Sequence, residues 1–184
     1  ARVSSSMMWI ARSIASGLRR SPSRIACSIL LALSCFVLVV GVARSFSVIV
    51  PAYNCEATLA STVMSARAQS LPDLEIIIID DGSRDGTLAL ARELEAADPR
   101  IKVINQANSG VSVTRNRGIA AARGEYVALL DADDLWVENY LAIHRDRFAS
   151  DPGLGVSFSA CRYIEADGTV TNERSRPKLS GFVP

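Results

Sequence analysis

The sequence predicts an α/β protein built on a doubly wound, mostly parallel sheet, and three observations lead there. From residue 46 onward, short runs rich in β-branched residues alternate with segments of helical periodicity. Two of the runs, Ile76-Ile77-Ile78-Ile79 and Val127-Ala128-Leu129-Leu130, are apolar without alternation, as strands covered on both faces are. Polar motifs rich in Asp, Asn and Gly follow strand after strand, at the carboxyl ends where open α/β sheets bind ligands.

Taken in order, strands are expected over Phe46 to Pro51, Leu74 to Asp80, Ile101 to Asn105 and Glu125 to Leu130, with Leu154 to Ala160 a weaker fifth. Helices are expected from about Ala57 to Gln69, Thr87 to Ala97, Val111 to Ala122 and Val137 to Ala149, and Gly124 suits a stop after the third. This β-α-β order requires crossover helices and parallel neighbours. Beyond Ala160, Tyr163 to Val170 reads as a hairpin around Asp167-Gly168.

With 184 residues, 49 % of them hydrophobic, the chain has material for one ordinary core. Residues 45–184 are expected to form that single domain, cut short at its C-terminal side. Residues 1–44 hold six Arg and no Lys, Asp or Glu, which leaves 14 basic against 19 acidic residues in the rest of the chain. A mildly acidic domain with few aromatics excludes a broad nucleic-acid surface.

Within the basic leader, residues 25–43 carry no charge and as a helix would span about 28 Å, close to a bilayer's hydrocarbon thickness. They read as a membrane span or signal anchor. Arg2, Arg12, Arg19, Arg20 and Arg24 precede it, which by the positive-inside rule would export the chain beyond the span. Export would suit a site that works in a Golgi-like lumen and conflicts with one that works in the bacterial cytoplasm. The expectation is a natural start near Val42 and a location in the cytoplasm or on the cytoplasmic membrane face, with a single-pass anchor if residues 25–43 are native.

Cys27, Cys35, Cys55 and Cys161 lack metal-ligand spacing and are expected as reduced, mostly buried thiols. The single histidine, His144, excludes a His-cluster metal site and is expected to pack or face solvent from a helix. No Gly-x-Gly-x-x-Gly or Walker loop follows the first strand, so dinucleotide and P-loop chemistry are set aside.

The candidate site residues lie at four strand ends. After the fourth strand, Asp131 and Asp133 would face the same way in an extended segment, and with Asp134 they call for a hard cation such as Mg²⁺ or Mn²⁺ completed by phosphate oxygens. Alone, the acidic turn reads equally well as a cap on the next helix. After the second strand, Asp81 can accept a hydrogen bond from a base imide N–H, and Gly82 lets a ligand approach the backbone. There, Ser83 or Asp85 would cap a helix and Gly86 relieve strain. Pro51-Ala52-Tyr53-Asn54 ends the first strand with a ring on which a base could stack, and Arg115 could meet a diphosphate.

Together, FSVIVPAYN over 46–54, EIIIIDDGS over 75–83, Asn108-Ser109-Gly110, Arg115-Asn116, Gly124-Glu125-Tyr126 and Asp131-Ala132-Asp133-Asp134 resemble the family 2 glycosyltransferases over about residues 46–160. The resemblance implies a GT-A fold and metal-dependent, inverting transfer of a sugar from a nucleotide-diphosphate donor, a UDP-sugar first, to an acceptor hydroxyl in glycan, lipid or polysaccharide synthesis. Carried over by position, Pro51, Tyr53 and Asp81 would hold the base, Asp131 the ribose or a metal-bound water, Asp133 or Asp134 the metal, and Arg115 the diphosphate. The general base of such enzymes lies well beyond the acidic turn and is expected outside this chain. Thr114 stands where the family often has Ala, and Val137-Glu138 where a Pro is common. Two other readings are a catalytically incomplete nucleotide-sugar-binding remnant and a nucleotidyltransferase, the latter weakened by the missing Gly-rich loop.

Overall fold

The computed structural model describes residues 9–12, 46–165 and 168–175. Their elements, in chain order, are β1 (Trp9–Arg12), β2 (Phe46–Ala52), α1 (Glu56–Arg67), β3 (Leu74–Asp80), α2 (Thr87–Ala97), β4 (Ile101–Asn105), α3 (Val111–Ala121), β5 (Tyr126–Leu129), α4 (Tyr140–Ser150), β6 (Val156–Phe158), β7 (Cys161–Ile164) and β8 (Val170–Ser175). One sheet runs in the order β4-β3-β2-β5-β1-β6, and β7 pairs with β8 in a separate hairpin. The strands β4, β3, β2 and β5 are parallel, so the predicted doubly wound sheet is present.

The four consecutive isoleucines of β3 explain why the sheet is covered on both sides. Ile76 and Ile78 join one apolar cluster with Val48, Val50, Leu59, Val63, Ala91, Leu141 and Phe148, which draws on α1, α2 and α4. Ile77 and Ile79 join a second with Ile49 and Val127, backed by Ala121 from the α3 side. Each fully buried Ile is worth about 1.5–3 kcal/mol of apolar transfer. Edge strand β4 alternates instead, burying Ile101 and Val103 and exposing Lys102.

Departures from expectation have local causes. The fourth helix begins at Tyr140 rather than Val137, because α1 and the residues after it capture the backbone of 136–138: Trp136 N–H donates to Ser65 Oγ at 3.2 Å, Gln69 Nε2 to Val137 O at 2.8 Å and Ser70 N–H to Glu138 O at 2.9 Å. The weak fifth strand shortens to Val156–Phe158. Gly124 does not end α3, which stops at Ala121; its N–H donates to Ser47 Oγ at 2.8 Å. Residues Trp9–Arg12, read from sequence as leader, lie antiparallel between β5 and β6. The expected span over 25–43 lies outside the described residues, as do Cys27, Cys35 and Asp167. Among the described residues no helix is long and apolar enough to cross a membrane.

Candidate functional site

The loops after β2 and β3 are clamped to each other by side chains that meet backbone groups. Asn54 N–H donates to Ser83 Oγ at 3.0 Å, and Arg84 N–H donates back to Asn54 Oδ1 at 2.8 Å. Gly86 N–H donates to Glu56 Oε2 at 2.9 Å, while Thr87 N–H donates to Asp85 Oδ1 at 3.0 Å. Asp85 therefore serves the start of α2, and Ser83 serves the neighbouring loop instead of capping. Gly86 has an ordinary φ of −72°, so it relieves no strain; the space a side chain would take is filled by Glu56.

At the end of β3, Asp81 is 4 % exposed and faces inward. Its Oδ1 accepts from Gln106 Nε2 at 2.7 Å and Ser109 N–H at 2.9 Å, and its Oδ2 from Gly110 N–H at 2.9 Å. Burial alone would raise its pKa, yet the bonds from Gln106, Ser109 and Gly110 outweigh that and hold it below the usual carboxylate range. Gly82, expected to admit a ligand, instead sits at φ +72° against the chain's own loop: a Cβ there would lie 2.8 Å from Asn108 N. Asp81 borders a cavity of about 180 Å³ with Pro51, Tyr53, Gly110, Val111 and Thr114.

Beside it opens a cavity of about 950 Å³, and here the structure gathers most of the residues picked from sequence: Pro51, Tyr53, Arg115, Asp131 and Asp133 all line it. Tyr53 is 47 % exposed and lines both this cavity and the smaller one. Arg115 Nη2 donates to Asp131 Oδ1 at 2.6 Å, an ion pair with neither partner fully buried, and its Nε is buried without a partner. Arg115 is the one cation among the described residues lining this cavity, against the carboxylates of Glu56, Asp85, Asp131 and Asp133.

The acidic segment is a turn, closed by Asp134 N–H to Asp131 O at 3.0 Å, rather than the extended stretch expected. Nor does it cap α4, whose N-cap is Asn139. The turn instead separates its carboxylates. Asp131 and Asp133 line the cavity, with Asp133 exposed, whereas Asp134 is half-buried and lines neither cavity. Burial first, and then the charges of Asp133 and Asp131, push the Asp134 carboxyl up to about 7. A turn so rich in negative charge fits a hard cation bound through oxygen. Among the described residues no three His, Cys, Asp or Glu side chains converge to cage one. Mg²⁺ and Mn²⁺ at nucleotide sites need only one or two carboxylates, the remaining ligands being phosphates and water.

Sequence reading missed Gln106, Asn54 and Glu56 as members of the site. Asn54 closes a recognised motif, but its partners lie some thirty residues away, and Gln106 carried no signal of its own. His144 is buried, its Nδ1 2.7 Å from Ser157 Oγ and its ring against Tyr140; burial, helped by Arg147, lowers its pKa to about 4, so it packs and does not face solvent. Cys55 and Cys161 are free thiols, half-buried rather than buried; burial raises the pKa of Cys55.

The family model described as Glycosyl transferase family 2 matches residues 47–181. Among curated relatives, a chondroitin synthase of Escherichia coli is 36% identical over 124 residues, covering 67% of this chain and 18% of that protein. The putative teichuronic acid biosynthesis glycosyltransferase TuaG of Bacillus subtilis is 40% identical over 124 residues, covering 67% of this chain and 49% of that one. Among solved structures, residues 1–349 of S. aureus TarS in complex with UDP-GlcNAc match with a TM-score of 0.54 and 31% identity, over 58% of this chain and 31% of that one. The mannosyltransferase PcManGT from Pyrobaculum calidifontis, in complex with GDP-Man and Mn²⁺, matches with a TM-score of 0.55 and 27% identity, over 60% and 33% of the two chains. The chain thus spans between 18% and 49% of the length of these two curated relatives.

Proposed function

The chain belongs to glycosyltransferase family 2 and has its GT-A fold, and on that premise we propose that it binds a nucleoside-diphosphate sugar with Mg²⁺ or Mn²⁺ and transfers the sugar, with inversion, to an acceptor hydroxyl. One observation carries the reading. Residues from three strand ends and the start of α3 line two adjoining cavities that share Pro51, Tyr53 and Val111, at the carboxyl edge of a parallel sheet.

In this reading the base enters the smaller cavity, stacks on Tyr53 beside Pro51 and gives an imide N–H to Asp81. The diphosphate lies in the larger one, where Arg115 turns from Asp131 toward phosphate oxygens. Asp131, released from that pair, takes the ribose or a metal-bound water, and Asp133 holds the cation, with Asp134 behind it in the same turn. When bound, the cation neutralises the charge growing on the departing nucleoside diphosphate. The acceptor hydroxyl attacks the anomeric carbon in line as its proton passes to a carboxylate, which inverts that centre. The modest volume beside Asp81 favours a pyrimidine, hence a UDP-sugar. Its likeness to a chondroitin synthase and to a teichuronic acid biosynthesis glycosyltransferase favours a polysaccharide acceptor, made on the cytoplasmic side where the donor is found.

Calorimetric titration of UDP into the protein, with Mn²⁺ and with EDTA, tests the site. Binding that needs the metal and falls at least about ten-fold in Asp133→Ala is expected. Metal-independent binding indifferent to Asp133→Ala would overturn the assignment.

A further inference from the structure

The Asp81 carboxylate is held by more than the backbone of its neighbouring loop, and we infer that Gln106, set in place by Arg117 and Thr114, is a positioning residue that fixes Asp81 to recognise the imide N–H of a nucleobase. This rests on the donor-binding reading proposed for the site.

Gln106 stands just past β4 and is 8 % exposed. Its backbone N–H donates to Asp80 O at 3.0 Å, prolonging the β3–β4 ladder, so its main chain is anchored before its side chain acts. The side-chain amide is ordered from both ends. Arg117 Nη1 donates to Oε1 at 3.3 Å, and because a guanidinium only donates, the amide oxygen must face it. The NH₂ group then faces the other way, giving one bond to Asp81 Oδ1 at 2.7 Å and one to Thr114 Oγ1 at 3.1 Å. Thr114 can only accept there, since its own O–H is given to Gly110 O at 2.9 Å. A flipped amide would set its oxygen against a carboxylate and its NH₂ against a guanidinium, so a single arrangement satisfies all four groups.

Donation therefore runs from Arg117 through Gln106 to Asp81, and it loads Oδ1. Oδ1 takes two donors, Gln106 and Ser109 N–H, whereas Oδ2 takes Gly110 N–H alone. A carboxylate oxygen accepts two hydrogen bonds, which leaves the remaining acceptor position on Oδ2. Asp81 and Thr114 both border the smaller cavity, so the carboxylate is presented there as an acceptor only. Uracil, whose N3 carries a proton, satisfies it. Cytosine sets a lone pair against it. Thr114 is thus more than a replacement for the Ala often found there: its hydroxyl occupies the second proton of the Gln106 amide.

The test is calorimetric titration of UDP and of CDP, at fixed Mn²⁺, into the wild-type chain, Gln106→Met and Thr114→Val. Both substitutions keep side-chain volume and remove the polar groups, and circular dichroism with thermal melting reports whether each variant is folded. The wild type is expected to prefer UDP to CDP by at least ten-fold. Gln106→Met is expected to bind UDP about ten-fold more weakly, the scale of a lost hydrogen bond to a charged group, with CDP changed by less than about two-fold. Thr114→Val is expected to move the ratio the same way by about three-fold. It decides the matter if Gln106→Met does not fold. A folded variant that keeps the wild-type UDP/CDP ratio, whether affinity is retained or lost equally for both, overturns the inference while leaving the donor site standing. A wild type that binds no UDP overturns the donor-site reading and this inference with it.

Discussion

Asn54 is the one non-glycine residue with positive φ, +49°, among those described, and it bridges the loops after β2 and β3. A side chain with Cβ costs roughly 1–2 kcal/mol in that conformation, and Asn lowers the cost with local hydrogen bonds. Asn54→Ala loses both the tolerance and the bond to Arg84 N–H, while Asn54→Gly loses only the bond. Urea unfolding should place Asn54→Ala about 1–2 kcal/mol below wild type and Asn54→Gly about 0.5–1 kcal/mol below it. Equal losses would mean that backbone conformation is not what selects Asn. At this scale the sequence was legible wherever chemistry is concentrated in a few adjacent residues: Tyr53, Asp81, Arg115 and Asp131 stand out in it, and the structure sets all four on the two adjoining cavities. It was silent where a role depends on a remote partner. Asp81 meets donors 25 to 29 positions away, and the turn that points Asp133 outward while tucking Asp134 in leaves no mark on the sequence Asp131-Ala132-Asp133-Asp134.

Elements were easier to read than residues because their signals are periodic and redundant. β3 and α2 begin and end where expected, the first because four isoleucines can only be buried on both faces, the second because Asp85-Gly86 precede it and Asp98-Pro99 follow. The start of α4 was misplaced since Val137 and Glu138 are compatible with helix, and only the bonds from Gln69 Nε2 to Val137 O and from Ser70 N–H to Glu138 O draw them away. Nor does periodicity show how closely a helix approaches the sheet. In α3, Gly118 is buried, and a Cβ there would meet the side chains of Ile49 and Ile79 far inside contact distance. The helix that carries Arg115 is therefore seated by a missing side chain. Gly118→Ala gains about 1 kcal/mol in helix propensity and loses about 1–3 kcal/mol to overpacking, so a net loss of stability is expected, accompanied by weaker nucleotide binding as α3 lifts from the sheet. A raised melting temperature with unchanged UDP affinity would show that the isoleucines repack freely.

Across the whole molecule, a buried and a half-buried titratable group pull stability in opposite directions over the same pH range, and His144 can be separated from the other. It joins α4 to β6 through Ser157, and its pKa is about 4 in the folded chain against 6.5 when unfolded. Between those values the unfolded chain binds a proton that the native chain refuses. Stability therefore rises with pH through that window; the contribution of His144 is complete above about 6.5 and is lost as pH falls toward 4. The shift corresponds to about 3 kcal/mol. Asp134 acts the other way: its carboxyl is raised from 3.8 to about 7, so the native chain holds a proton that the unfolded chain releases, and stability falls as pH rises through that interval. A wild-type profile alone would show these slopes partly cancelled. In His144→Phe the aromatic contact with Tyr140 can persist while the titrating group is gone, and Asp134 is common to both proteins. The difference between the wild-type and His144→Phe unfolding free energies, measured by urea titration without metal, should shrink by about 2–3 kcal/mol from pH 7 to pH 4.5. Parallel profiles would show that His144 takes up its proton in the folded chain as readily as in the unfolded one.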